Sequence, residues 1–412
     1  MAGFDVKAQI KMKKSKSQIT MLMIVGLVLF IIVSLVLYLA KSSVKKQSQQ
    51  ATKKSQETAI ELQPIREFVD KCLDKTAKDA VVLLGKQGGY IYASQGGTLI
   101  DYAKTHEGLF FIRHENLNVA YNIMPPKFPA PPYASDVPDY PWKTFPYETE
   151  ISNAEIYEGF FGTSNLPPLN SSEGPNSMQA QIEAFVNRNM AKCLDFSIFR
   201  EQGIEVEPKE ANTSVIIGVG GVSVKAKMPI AINNPSSNEF LEISDFSATL
   251  DIRLRELHLF VRDLIGEDIK NIKFDIGNAN NSQNSFRVKT ARDIFSKDDL
   301  VTVTDEKSLV YGSLYEYKFS RRNRAPALHY IRPHAFTFPQ GYKINETDLL
   351  QNKQLKAYDP DEDNYTFTIF DSELGKDAAE FPETLVSPQM RFRVEVSDGK
   401  LRVYQILTVN RE

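Results

Sequence analysis

The chain of 412 residues contains two cysteines, one tryptophan and five histidines. Two cysteines are too few for a disulfide framework, and Cys72 and Cys193 lack the paired spacing of a zinc site. They leave room for a single bridge, which an oxidising compartment permits. The histidines, at positions 106, 114, 258, 329 and 334, are scattered, and no pair has the spacing of a metal-binding helix face. Gly-x-Ser-x-Gly, His-Glu-x-x-His and Cys-x-x-Cys are all missing. Gly218-x-Gly220-Gly221 resembles part of a phosphate loop but has no Lys-Ser/Thr after it, so it reads as a hairpin turn. No enzyme activity built on histidine or cysteine is expected. Charge of either sign is also scarce in excess: a net charge of -3 leaves no basic face for nucleic acid.

What the chain does have is one long apolar run, residues 19–40, with no charged residue in it and lysines on both sides. As a helix it measures about 33 Å, enough to span a bilayer core. It is too long for the apolar part of a cleaved secretory signal. The expectation is a single-pass protein of the cell membrane, with residues 1–18 a basic cytoplasmic tail and everything after the span outside. Lysines alone do not set this orientation, because five precede the span and five follow it closely. The outward placement rests on the character of the following domains and on five Asn-x-Ser/Thr sites, at Asn170, Asn212, Asn280, Asn345 and Asn364.

Residues 41–63 form a polar stalk rich in Lys, Gln, Ser and Thr. A region at 64–176 follows, with a helix over 64–86 that Gly88-Gly89 ends. Short strands are expected at 90–92, 109–112 and 119–123. Its prolines and aromatics between 124 and 148 read as an extended loop pinned by its own side chains. The next region, 177–322, is expected to open with a helix over 177–196 and continue with strands at 214–219, 222–232, 246–254, 286–289, 300–303 and 311–319. Lys71-Cys72-Leu73-Asp74 recurs as Lys192-Cys193-Leu194-Asp195. Both copies lie on amphipathic helices, so Cys72 and Cys193 are the disulfide candidate. The fold class is therefore α+β: a transmembrane helix, a mixed helix and antiparallel-sheet ectodomain, and an all-β C-terminal unit.

Two stretches carry family resemblance. Lys16-Ser17-Gln18 ahead of the apolar run resembles the class III signal of archaeal type IV pilin-like proteins, which implies cleavage after Ser17. Ser17 replaces the usual Gly, and Leu22 stands where assembling pilins carry Glu. The second stretch is residues 323–412. Asn323-Arg324-Ala325-Pro326, Asp359-Pro360-Asp361-Glu362-Asp363, Phe392–Leu401 and Ile406–Asn410 resemble, in order, the motifs of a cadherin-like or bacterial Ig-like domain. This implies an independent β-sandwich, and strands such as Phe392, Val394, Val396 alternate as one requires.

Asp359, Asp361 and Asp363 place three hard oxygen donors within five residues, a pattern suited to calcium. The resemblance adds Asp398 and Asn323 as partners. Acidic residues that merely cap a turn fit the pattern equally well. The functional expectation is a binding or structural role at the cell surface: adhesion, envelope attachment, or a component of a pilus-like assembly. Its partner would be a protein or a glycan, and the sequence does not set the oligomeric state. The alternative is an envelope enzyme acting on glycan or peptide, with the sandwich as a spacer.

Overall fold

The computed structural model describes residues 62–100, 110–126, 161–234, 239–328, 335–338, 357–371 and 389–411. The apolar run at 19–40, the basic tail, nearly all of the stalk, most of the proline-rich segment and Asn345 lie outside them. Among the described residues no helix is long and apolar enough to cross a membrane. Contacts divide the chain into two units, residues 1–68 and 69–412.

Helix α1 covers 62–86. Cys72, Leu73, Ala77, Ala80, Val81 and Leu84 follow the three- and four-residue spacing of one helical face and are buried. Gly88 (φ +73°) and Gly89 (φ +85°) adopt the left-handed conformation that ends it, and the Gly89 N–H donates to Leu84 O at 2.9 Å. A Cβ on Gly89 would stand 2.6 Å from Pro167 Cγ, so glycine is also required by packing.

The expected strand at 90–92 is reduced to a single parallel bridge between Tyr92 and Leu99. Gln181 Oε1 accepts the Ile91 N–H and Gln95 Oε1 accepts the Tyr92 N–H, so side-chain amides take the N–H groups that further strand pairing would use. Strands β1 (Phe111–His114) and β2 (Leu117–Met124) form a hairpin through Glu115 and Asn116, both at positive φ. Strand β3 (Thr163–Ser164) adds to β2.

Helix α2 (Met178–Cys193) starts at Ser177, whose side chain accepts the Ala180 N–H at 3.2 Å. A short helix α3 (Ser197–Glu201) follows it. Next come β4 (Glu205–Pro208), β5 (Asn212–Ile217), β6 (Val222–Asn234) and β7 (Glu239–Leu250). Both β4 and β5 pair with one side of β6, and β7 pairs with the other. The Gly218–Gly221 turn joins β5 to β6 as expected, with Gly218 N–H donating to Gly221 O at 2.9 Å. Val215, Val224, Ile230, Phe246 and Leu250 alternate onto the buried face. Asn187 and Glu183 of α2 accept the Thr213 and Val215 N–H groups, which covers the outer edge of β5.

Helix α4 (Leu254–Lys270) was not expected. The strand assigned to 246–254 stops at Leu250, and Leu254, Leu257, Val261, Leu264, Ile265 and Ile269 become the buried face of a helix. After it, β8 (Phe286–Phe295), β9 (Asp298–Val310) and β10 (Ser313–Arg321) run as an antiparallel meander. Its turns, Ser296-Lys297 and Tyr311-Gly312, have positive φ at both central residues. Strand β10 also pairs in parallel with β2, so the first sheet has the order β1-β2-β10-β9-β8.

The C-terminal segment holds β11 (Ala327–Leu328), β12 (Ala335–Phe338), β13 (Ala357–Tyr358), β14 (Thr366–Asp371), β15 (Gln389–Ser397) and β16 (Arg402–Arg411). One sheet has the order β12-β16-β15-β14, with β12 parallel to β16, and β11 pairs with β13 in another. The α+β class is thus observed. The segment is not self-contained, however. Ala327, Leu328, Ala357, Val396 and Val403 share one apolar cluster with Phe161 and Ile272 from the preceding region.

Candidate functional site

Five segments converge where the C-terminal strands meet the preceding region. Helix α4 supplies Asp268 from its otherwise apolar face, and the start of β9 supplies Asp298 and Asp299. The end of β10 and the following residues supply Arg321, Asn323 and Arg324. The turn after β13 supplies Asp359, Asp361 and Asp363, and the β15–β16 turn supplies Asp398. Arg321 and Arg324 are among the largest fully buried side chains. A charge taken out of water is tolerated only when it is paired and hydrogen-bonded, and both are.

Arg321 reaches three carboxylates from three elements. Its guanidinium lies 3.0 Å from Asp268 Oδ1, 2.6 Å from Asp299 Oδ2 and 3.3 Å from Asp361 Oδ1. Arg324 donates from Nε and Nη2 to Asp361 Oδ1 at 3.0 and 2.8 Å, and from its backbone N–H to Asp361 Oδ2 at 2.6 Å. Its remaining donors reach Phe161 O at 3.1 Å and Pro360 O at 2.8 Å, and Asp268 Oδ2 lies 2.9 Å from Nη1. Burial pulls both guanidinium pKa values down. The surrounding carboxylates, Asp361 and Asp268 foremost, more than offset it and hold both above the usual range. Both arginines are therefore permanently charged ties between α4, β9 and the C-terminal turn.

The five residues nominated as metal ligands are brought into this one neighbourhood, but not into equal roles. Asp361 is committed to the arginines. Asp398 Oδ2 accepts from Asn323 Nδ2 at 2.7 Å, and Oδ1 accepts the Lys400 and Leu401 N–H groups, each at 2.6 Å. Asp359 Oδ1 accepts the Asp361 and Asp363 N–H groups at 2.9 and 3.1 Å, which folds the turn onto its first residue. Glu362 takes positive φ there, the place of the glycine usual in such turns.

Besides Asp268 Oδ2, which has only its ion pair with Arg324, three oxygens here are buried without a hydrogen-bond partner: Asn323 Oδ1, Asp359 Oδ2 and Asp363 Oδ2. Lys297 Nζ lies 3.3 Å from the last of these, an ion pair without hydrogen-bond geometry. Burial first, and then the charge of Asp361, push the Asp359 carboxyl up to about 7. Burial likewise raises Asp363, against the pull of Lys297, and raises Asp298, to which Tyr121 and the Asn323 N–H donate. The neighbourhood thus holds more carboxylate than its basic side chains neutralise.

Among the described residues no three acidic, histidine or cysteine side chains are gathered closely enough to hold a metal ion. The donor chemistry nevertheless fits a hard cation, because the unpartnered atoms not paired with an arginine or part of one, Asn323 Oδ1, Asp359 Oδ2 and Asp363 Oδ2, are all oxygens and two of them are carboxylate. Asn323, Asp359 and Asp363 would hold it, with water or carbonyl oxygens completing the six to eight ligands calcium takes. Asp361 and Asp398 drop out of the expected set because their oxygens are already used.

Arg321, Arg324, Asp268 and Asp299 were not nominated from sequence. Their local signal is the basic run Arg321-Arg322-Asn323-Arg324, which sits at the expected border between the regions 177–322 and 323–412. Of the histidines, His114 lies in β1 and His258 in α4, where Nε2 is 3.0 Å from Pro167 O and burial lowers its pKa. His106, His329 and His334 lie outside the described residues. Cys72 of α1 and Cys193 at the end of α2 are joined by a disulfide, with Cα atoms 5.7 Å apart, inside the range that unstrained backbones span. No family model matches the sequence, and no curated protein matches it significantly.

Proposed function

We propose that the chain is a single-pass surface protein, anchored by residues 19–40, whose ectodomain serves a binding or structural role. The roles consistent with this are adhesion, envelope attachment, and a part in a pilus-like assembly. Residues 1–18 lie in the cytoplasm and the C-terminal domains outside, in this reading. The disulfide supports that placement, since such bonds persist in oxidising surroundings. So does the exposure of Asn170, Asn212, Asn280 and Asn364, each the first residue of an Asn-x-Ser/Thr site.

The observation that carries the structural side of this reading is the buried arginine pair. It ties the C-terminal strands to α4 and β9 with charges that never titrate. A surface built on such a joint is presented in a fixed orientation. Calcium belongs to the same proposal: bound by Asn323, Asp359 and Asp363, it would neutralise the remaining carboxylates beside the arginines.

Protease shaving of intact cells, in calcium and in chelator, tests both parts. The expected result in calcium is release of soluble material that carries the C-terminus, cut from the cell within the stalk at 41–63. With chelator, cuts within 357–363 are expected to appear sooner. Failure to release anything from intact cells sinks the surface placement. Identical digestion in the two buffers removes calcium and leaves the placement standing.

A further inference from the structure

A groove of about 480 Å³ lies between α4 and the polar loop that precedes β8, lined by none of the residues of the charge cluster. Its volume falls within the range of small-ligand sites. One wall is a single stripe of α4, on which Glu256, Asp263 and Glu267 stand at helical spacing. The other wall carries carboxamides, Asn280, Gln283 and Asn284 among them. Phe286, stacked on Phe260 with ring centroids 5.0 Å apart, and the half-exposed Phe274 give it an apolar floor.

The polar groups here are built into place. Glu256 Oε1 accepts the Gly220 N–H at 3.2 Å, while Oε2 is buried without a partner. The amide wall is braced from behind. Asn281 Nδ2 donates to Asp275 O at 2.7 Å and Ile276 O at 3.1 Å, and Ser282 Oγ accepts the Val288 N–H at 3.0 Å. Asn284 and Ser285 hold positive φ, so the loop crosses the groove in a fixed turn. Gln283 and Asn284 themselves are exposed at its tip.

This lining selects against anions. Its basic side chain, Arg253, is committed to Asp305 and lies over the Phe286 ring at 4.6 Å. Phosphates, uronic acids and acidic peptides would meet three carboxylates and no free cation. A neutral polyhydroxylated ligand meets better-matched groups. Carboxylates accept from hydroxyls, carboxamides pair with a neighbouring hydroxyl as both donor and acceptor, and phenyl rings take the C–H face of a pyranose. We propose that this groove binds a neutral saccharide. The proposal deepens the surface-binding reading above and depends on it for the source of the sugar, though not for binding itself.

That source is either a glycan on another molecule or one attached to this chain, because Asn280-Asn281-Ser282 is itself an Asn-x-Ser site on the groove wall. Saturation-transfer NMR on the full-length chain in lipid nanodiscs, free of glycoside detergent, tests the site. The probes are maltose, cellobiose, lactose and N,N′-diacetylchitobiose. At least one is expected to receive saturation, and Glu256→Gln with Asn284→Ala is expected to weaken it on the order of tenfold or more without moving the melting temperature. Two variants separate the sources. If native protein carries sugar on Asn280 and only Asn280→Gln binds added disaccharide, the occupant is the chain's own glycan. If wild type and Asn280→Gln bind alike, it is a foreign one. Absence of transfer to both proteins overturns the proposal. So does binding that survives the double variant, or a tetralysine peptide that binds where no disaccharide does.

Discussion

Arg324 has no water to turn to if its partners are lost, and neither does Asp361. Arg324→Met would leave Asp361 and Asp268 buried with part of their compensation gone, for which a cost of about 3–5 kcal/mol is typical. Urea unfolding is the measurement, and a loss under about 1 kcal/mol would mean that water reaches the cluster. Arg324→Lys is expected to recover little, since an ammonium's donors radiate from one nitrogen, whereas the guanidinium spreads its contacts with Asp361, Asp268 and two backbone carbonyls over three. Asp359 offers a different handle. Its carboxyl titrates at about 7 in the fold and at about 3.9 when unfolded. Between those values the folded chain holds a proton that the unfolded chain has released, so stability falls as pH rises through the window. Asp363 and Asp298, also raised by burial, act in the same direction. In chelator, the melting temperature is therefore expected to drop from about pH 5 to about pH 8. Calcium should flatten that drop by stabilising the ionised form, and so should Asp359→Asn. A rise across the same range would show that these carboxyls are ionised and satisfied in the fold. The aspartates at 359, 361 and 363 were visible in the sequence as a cluster, but their division of labour was not. Arg321 meets Asp268 across 53 positions and Arg324 meets Asp361 across 37, and no local pattern records such pairings.

Elements with strong periodicity were legible. The spacing that begins at Cys72 and the Gly88-Gly89 stop define α1, and Ser177 marks the start of α2. Helix α4 escaped because the alternation of Phe246, Ala248 and Leu250 runs straight into Ile252 and Leu254, which extends a strand past its end. Its own signal, apolar residues at 254, 257, 261, 264, 265 and 269, is as strong as that of α1. Asp268 in that stripe is the mark of a buried ion pair. The strand expected at 90–92 shrinks to one bridge, Tyr92 to Leu99, for a different reason: two glutamines take N–H groups that further pairing would use, and amide side chains leave no periodic trace. The bridge between α1 and α2 gives this scale its prediction. Replacing Cys72 and Cys193 with serine opens a loop spanning 121 positions, worth about 4–5 kcal/mol in the chain-entropy picture. Denaturation of the double variant should show a large part of that loss. Two free thiols in mass mapping of unreduced native protein would remove the bond and, with it, one support for the outward topology.

Across the whole molecule, the cut that sequence places before residue 323 passes through shared material. An isolated 323–412 fragment would lose Phe161 and Ile272 from its apolar cluster and Arg321 from Asp361. It is expected to melt well below the full chain or to aggregate, whereas a fragment starting before residue 161 should keep the C-terminal strands folded. Equal melting of the short fragment and the full chain would establish the C-terminal segment as self-sufficient after all. The Cys72–Cys193 bond has a mechanical meaning as well. Any tension passing between the two ends of the chain crosses from α1 to α2 through sulfur and bypasses residues 73–192. Those residues, β1 to β3 among them, are shielded from any pull applied between the two ends. Reduction would release that hidden length, about 400 Å of extended chain, as slack between the protein's two ends.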